Sequence, residues 1–143
     1  MYTITTVIVA LARKYLSVST RHKKAGRRPT SAALGDAAWL TGLERNADLV
    51  ILESYAPMFT NINPGASQWP TNLIGYDAVK SYGSPSYYAK QMFNQHRGDV
   101  VLPTTLNVTG GSEFYESATR DNQTGTIYLK AVNPLEPPRK YTS

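Results

Sequence analysis

From Thr30 onward, apolar residues recur at spacings of three and four, with Ala33, Leu34, Ala37, Ala38, Leu40 and Leu43 marking one helical stripe. Ser31 is a good N-cap for that stripe, and Arg45-Asn46 closes it with a cation and a residue tolerant of the left-handed conformation. The spacing therefore predicts a helix from about residue 31 to residue 46. Asp48 then leads into Leu49-Val50-Ile51-Leu52, a continuous apolar run that reads as a strand buried on both faces. A helix, a tight turn and a buried strand in this order form the αβ step of a parallel sheet.

The segment from Glu53 to Asp77 carries Pro57, Pro64, Gly65, Pro70 and Gly75 and reads as one long structured loop. Loops of this kind at the carboxyl end of a parallel strand are where α/β barrels place binding residues. Ser84-Pro85 pairs an N-cap with proline at the first helical position, so residues 86 to 97 are expected to be helical, with Gly98 as the stop.

Beyond Asp99 the period falls to two. Val100–Leu102, Thr105–Val108, Glu113–Ala118 and Thr126–Val132 read as strands, and Arg120–Gly125 supplies a hairpin turn between the last two. The proline-rich tail from Asn133 cannot continue a central strand. The pattern predicts an α/β part over residues 31–98 and an antiparallel β part over residues 99–143. With one parallel strand and a handful of antiparallel ones, neither part closes a barrel or a sandwich by itself.

Composition changes this picture in three places. At 143 residues the chain is short of the ~250 that a complete (β/α)8 barrel needs. It has no Cys, which removes disulfides and thiolate metal sites. The net charge of +5 comes from one segment: residues 1–28 hold seven Lys or Arg and no acid, leaving eight basic against ten acidic residues in the remainder. Residues 1–30 are accordingly expected to be a basic, solvated lead-in, and the body of the chain has no nucleic-acid signature. The alternative, a polyanion-binding patch over Arg21–Arg28, predicts steep salt dependence. The apolar run near Met1 is too short to span a bilayer, and Arg13-Lys14 occupy the place of a signal cleavage site.

Four blocks carry a resemblance. Ala32 to Asp48 (AALGDAAWLTGLERNAD), Ser54 to Asn63 (SYAPMFTNIN), Gln68-Trp69 with Asp77, and Tyr82 to Tyr88 (YGSPSYY) are similar, in order and spacing, to glycoside hydrolase family fifty-one α-L-arabinofuranosidases. The resemblance spans roughly Ala32 to Val132 and is absent from residues 1–28. It implies the final βα unit of a (β/α)8 catalytic barrel followed by part of an antiparallel β-sandwich. It further implies retaining hydrolysis of terminal α-L-arabinofuranosyl groups on hemicellulose or pectin, with an arabinose-containing polysaccharide as partner, no cofactor, and an extracellular location.

Retaining hydrolysis needs two carboxyl groups about 5 Å apart. In the family these lie in an Asn-Glu pair and a Gly-Glu-Tyr-like context, and neither Asn-Glu nor Gly-Glu occurs here. No catalytic residue is assigned, and the chain alone is expected to be inactive. Glu53, at the end of the expected strand, is a carboxylate in the usual barrel address, but it departs from the small residue usual there. Asn61, Asn63, Gln68 and Trp69 are the candidate substrate-binding residues, because amides bond sugar hydroxyls and an indole covers a furanose face. The competing roles are turn capping for the amides and loop packing for the indole. Tyr87 and Tyr88 are assigned to packing. His22 and His96 have no neighbours at ligand spacing, so no metal site is expected. A second reading is a non-catalytic carbohydrate-binding module built on the tyrosine-rich β part. Asn107-Val108-Thr109 and Asn122-Gln123-Thr124 match the N-glycosylation acceptor pattern.

Overall fold

The computed structural model describes residues 29–66, 69, 72–105, 107 and 114–133. Two helices and two three-stranded sheets make up this part of the chain. Helix α1 spans Pro29–Arg45 and α2 spans Pro85–Gln95. α1 starts two residues before the expected Ser31 cap, since proline suits the first helical turn, and ends at Arg45 as its terminal cation suggests. The α2 start matches expectation: Ser84 is the N-cap, and its Oγ accepts from the Tyr87 amide at 3.2 Å. The helix closes at His96, ahead of Gly98, through a bond from the His96 amide to the Met92 carbonyl. Gly98 instead lets the chain pass against β5 (Tyr115–Arg120): a Cβ there would sit 2.5 Å from the Arg120 backbone.

Strands β4 (Val100–Leu102), β5 and β6 (Ile127–Val132) form one antiparallel sheet in the order β4-β5-β6. The expected hairpin is present, with Tyr115 opposite Val132 and Arg120 opposite Ile127. Asp121 closes its turn by accepting amides of Gln123 and Thr124, and Gly125 takes φ 71. The strand expected over 105–108 does not form at the described positions, as Thr105 and Asn107 lie outside any strand; Leu106 and Val108 fall outside the described residues. β5 begins at Tyr115, two residues later than expected, and runs on to Arg120.

The second sheet was not foreseen. The expected long loop holds β1 (Phe59–Asn61) and β2 (Ile74–Tyr76), which pair in parallel, and β3 (Ser81–Gly83) pairs antiparallel with β2. Three-residue strands are too short to show a period of two. Gly75 is needed beneath the Tyr82 ring, which lies 2.5 Å from where a Cβ would stand.

The strand expected at Leu49–Leu52, buried on both faces, is corrected. Leu49 belongs to the turn that follows α1, where the Leu49 and Val50 amides donate to the Asn46 carbonyl, Ile51 and Leu52 lie in no strand, and Leu49, Ile51 and Leu52 are 77%, 95% and 84% exposed. A strand needs a hydrogen-bonding neighbour, and none among the described residues lies alongside.

The core lies where α1 packs between α2 and the β4-β5-β6 sheet. Ala37 of α1, Ala89 and Phe93 of α2 and Val132 of β6 form the buried cluster, with Leu34, Ala38, Leu40 and Tyr115 packed against it. Small residues at 33, 37 and 89 let the two helices approach closely, and all three are fully buried. The two parts distinguished in the sequence thus share one core.

Candidate functional site

The last turn of α1 is bound to the sheet by charge. Glu44 accepts from Ser117 Oγ at 2.5 Å and pairs with Lys130 Nζ through its other oxygen, while Arg45 donates to the Glu116 carbonyl. Lys130 is 1% exposed. Its ammonium also meets Thr119 Oγ1 at 3.4 Å and lies 5.5 Å from the Phe93 ring centroid. Burial lowers the Lys130 pKa below the usual lysine value, and the hydrogen bond and charge of Glu44 oppose that shift.

Beside this cluster is an open cavity of about 350 Å³ between α1, α2 and the 50–53 segment, with Leu43, Glu44, Glu53, Lys90, Phe93 and Arg97 among its lining residues. Glu53, the carboxylate that follows Leu52, pairs with Lys90 at 2.5 Å. Lys90 also stands 5.4 Å from the Tyr55 ring centroid, so the chain from Glu53 to Tyr55 is pinned to α2. Sequence reasoning missed both ion pairs. The signal for one was legible: the period of two along β6 puts Lys130 on the same face as buried Val132, so it needed an acid within reach.

The candidate binding residues belong to the small sheet and its loop. Asn61 ends β1, and its Oδ1 accepts from the Asn63 amide at 3.0 Å, a turn-capping role. Asn63 is exposed, and its carbonyl accepts from Ala66. Trp69 is 61% exposed. Gln68 lies outside the described residues. Asn61, Asn63 and Trp69 share this loop region, and none lines the cavity. Asp77 caps the next turn by accepting the amides of Val79 and Lys80, which hold its carboxyl below the usual aspartate value. Tyr87 packs beneath Gly83 and makes an edge contact with Tyr88 at 5.3 Å, in line with a packing role.

Most described carboxylates are committed to structural partners. Glu44 holds Lys130 and Ser117, Glu53 holds Lys90, and Glu116 accepts from Thr104. Asp99 accepts the Asn122 amide, while Asp77 and Asp121 close turns. Among the described residues no cluster of three or more acidic or histidine side chains could hold a metal ion. None of the described helices is long and apolar enough to cross a membrane.

Comparison with known proteins agrees with this arrangement. The α-L-arabinofuranosidase C-terminal domain family matches residues 15–137. α-L-Arabinofuranosidase 2 of Arabidopsis thaliana is 39% identical over 103 residues, covering 71% of this chain and 15% of that protein. α-L-Arabinofuranosidase 1 of the same plant is 36% identical over 112 residues, covering 78% of this chain and 16% of that protein. α-L-Arabinofuranosidase A of Aspergillus niger is 31% identical over 103 residues, with coverages of 71% and 16%. A solved structure of an arabinose-bound family 51 α-L-arabinofuranosidase superposes with a TM-score of 0.66 at 39% identity, covering 73% of this chain and 16% of that one. The chain thus spans about a sixth of the length of the relatives it matches. On the family match and the shared fold, this chain belongs to the α-L-arabinofuranosidases, in the region of their C-terminal domain.

Proposed function

We propose that this chain represents the part of an α-L-arabinofuranosidase that joins the end of the barrel, residues 31–98, to a C-terminal β-sandwich, residues 99–143. Acting with the rest of such an enzyme, it serves retaining hydrolysis of terminal α-L-arabinofuranosyl groups on extracellular hemicellulose or pectin. Alone it does not hydrolyse them. The carrying observation is the match over residues 15–137, combined with Glu44, Glu53 and Asp99, the carboxylates lining the cavity, being engaged by Lys130, Lys90 and the Asn122 amide.

Trp69 favours a second reading, a non-catalytic sugar-binding module. It is large, aromatic and 61% exposed, and it shares its loop with exposed Asn63. In this reading the indole covers a furanose face while the Asn63 and Gln68 amides bond hydroxyls; Asn61 holds the turn that presents them. Ligand-observed NMR of the pure chain with an arabino-oligosaccharide tests both readings in one sample. Saturation transfer lost in Trp69→Ala with no free arabinose released supports the binding module. Release of arabinose overturns the claim of inactivity, and absence of both signals leaves the chain as a purely structural part of the larger enzyme.

A further inference from the structure

The hydrolase reading leaves two Asn-X-Thr triplets unused, Asn107-Val108-Thr109 and Asn122-Gln123-Thr124. Val108 and Thr109 lie outside the described residues, whereas all of the second triplet is described. It forms the tip of the β5-β6 hairpin, where Asn122, Gln123 and Thr124 are all exposed. A triplet of this kind accepts an N-linked glycan, a bulky polar group that folded chains carry on surface loops.

The turn is built without the side-chain nitrogen of Asn122. The Asp121 amide donates to the Thr126 carbonyl and the Gly125 amide to the Asp121 carbonyl, both at 2.9 Å, which closes the loop. Asp121 Oδ1 accepts the Gln123 and Thr124 amides at 2.8 Å, and Gly125 supplies the positive φ that the return requires. Asn122 itself is anchored through its main chain, whose amide donates to Asp99 Oδ2 at 2.9 Å. Its Oδ1 accepts from Arg120 Nη2 at 3.4 Å, and Nδ2 donates to nothing among the described residues. Turn formation thus accounts for Asp121 and Gly125 and leaves free the one atom that a glycan needs. None of residues 121–125 lines the cavity between the helices, so a sugar chain on this turn leaves that cavity open.

We propose that Asn122 is an N-glycosylation site whose glycan the folded hairpin carries without rearrangement. The site rests on the extracellular location proposed above, because the modification is made in the secretory lumen. The donor is an oligosaccharide on a polyisoprenyl pyrophosphate. Asn122 Nδ2 attacks its anomeric carbon, and the C–N bond forms as the C–O bond to pyrophosphate breaks. The proton lost from nitrogen leaves with the lipid pyrophosphate. Thr124 supplies the hydroxyl that the acceptor triplet requires. The contacts of Asn122 survive the reaction, since Arg120 meets Oδ1 and Asp99 meets the main chain.

Translation of the full chain behind a cleavable secretion leader, in the presence of endoplasmic-reticulum microsomes, tests the site. The leader supplies entry to the lumen, so a bare Asn122 counts against the site and not against the extracellular location. Peptide-N-glycosidase in heavy-oxygen water converts a glycosylated Asn to a labelled Asp, and trypsin frees residues 121–130, away from Asn107, for mass spectrometry. Label at position 122 is expected in the unaltered chain and is expected to be lost in Thr124→Val. An unlabelled position 122 in the unaltered chain, or label that persists in Thr124→Val, overturns the proposal. Room for the glycan is read by urea unfolding of the Thr109→Val chain carrying the Asn122 glycan against the same chain made in bacteria. An equal or higher midpoint for the glycosylated chain is expected, and a lower one overturns the claim that the folded hairpin carries it.

Discussion

Glu44→Gln removes the counter-charge of a cation that cannot reach water. Lys130 is 1% exposed, so after the substitution its ammonium keeps only Thr119 Oγ1 at 3.4 Å, the Phe93 ring and a neutral amide. Losing one partner of a buried pair costs about 3–5 kcal/mol, and the low exposure of Lys130 places this variant in that range. Lys130→Met is expected to be milder, about 1–3 kcal/mol, since the Glu44 side chain is 14% exposed and keeps Ser117. Replacing both, as in Glu44→Leu/Lys130→Met, leaves no unpaired charge and is expected to cost less than Glu44→Gln alone. Urea unfolding followed by tyrosine and tryptophan fluorescence gives all the free energies, with a common slope confirming that the same surface is exposed. A loss below about 0.5 kcal/mol in Glu44→Gln, or additive losses in the double variant, would refute the claim that this pair clamps α1 to the sheet. The pH dependence has a definite sign. Burial lowers the folded-state pKa of Lys130 beneath its unfolded 10.5, so the unfolded chain binds more protons between the two values. The Lys130 contribution therefore makes stability rise with pH across that window, and this rise should vanish in Lys130→Met.

Gly98→Ala would put a Cβ 2.5 Å from the Arg120 backbone, which cannot move without opening β5, and is expected to cost about 1–3 kcal/mol in the same urea assay. Phe93→Ala empties the centre of the core, where the ring is 8% exposed, at about 3–5 kcal/mol, and should also expose Lys130 to solvent exchange. Asp77 and Asp121 carry lowered pKa values, set first by the amides of Val79 and Thr124 respectively. Their stabilisation is present above the ordinary 3.8 and is lost as pH falls through the lowered folded-state values, so Asp121→Asn should flatten that part of an acid titration followed by circular dichroism.

Much of this fold was legible because its strongest elements are local. The alanine-rich stripe of α1, the Ser84-Pro85 start of α2 and the hairpin around Gly125 each carry their own signal. Leu49–Leu52 misled for a physical reason: an apolar run specifies burial, but burial as a strand requires a neighbour that the run does not encode. The sheet of β1, β2 and β3 was illegible because its strands hold three residues each, and Gly75 reads as a loop marker when it serves close packing under Tyr82. For the candidate site, Asn61 ends β1 and its Oδ1 accepts the Asn63 amide, the turn-capping role weighed beside sugar binding. The partner of Lys130 could not be read, since pairing strand 127–132 with the end of a helix 86 residues away depends on packing that only the folded chain defines.

The most direct measurement is a long time course of arabinose release from a chromogenic α-L-arabinofuranoside by the pure chain, with Glu53→Gln alongside. The account expects neither protein to exceed the buffer control, because Glu53 is held by Lys90, and the two other carboxylates lining the same cavity are engaged as well, Glu44 by Lys130 and Ser117 and Asp99 by the Asn122 amide. Saturable release by the unaltered chain that disappears in Glu53→Gln would contradict it.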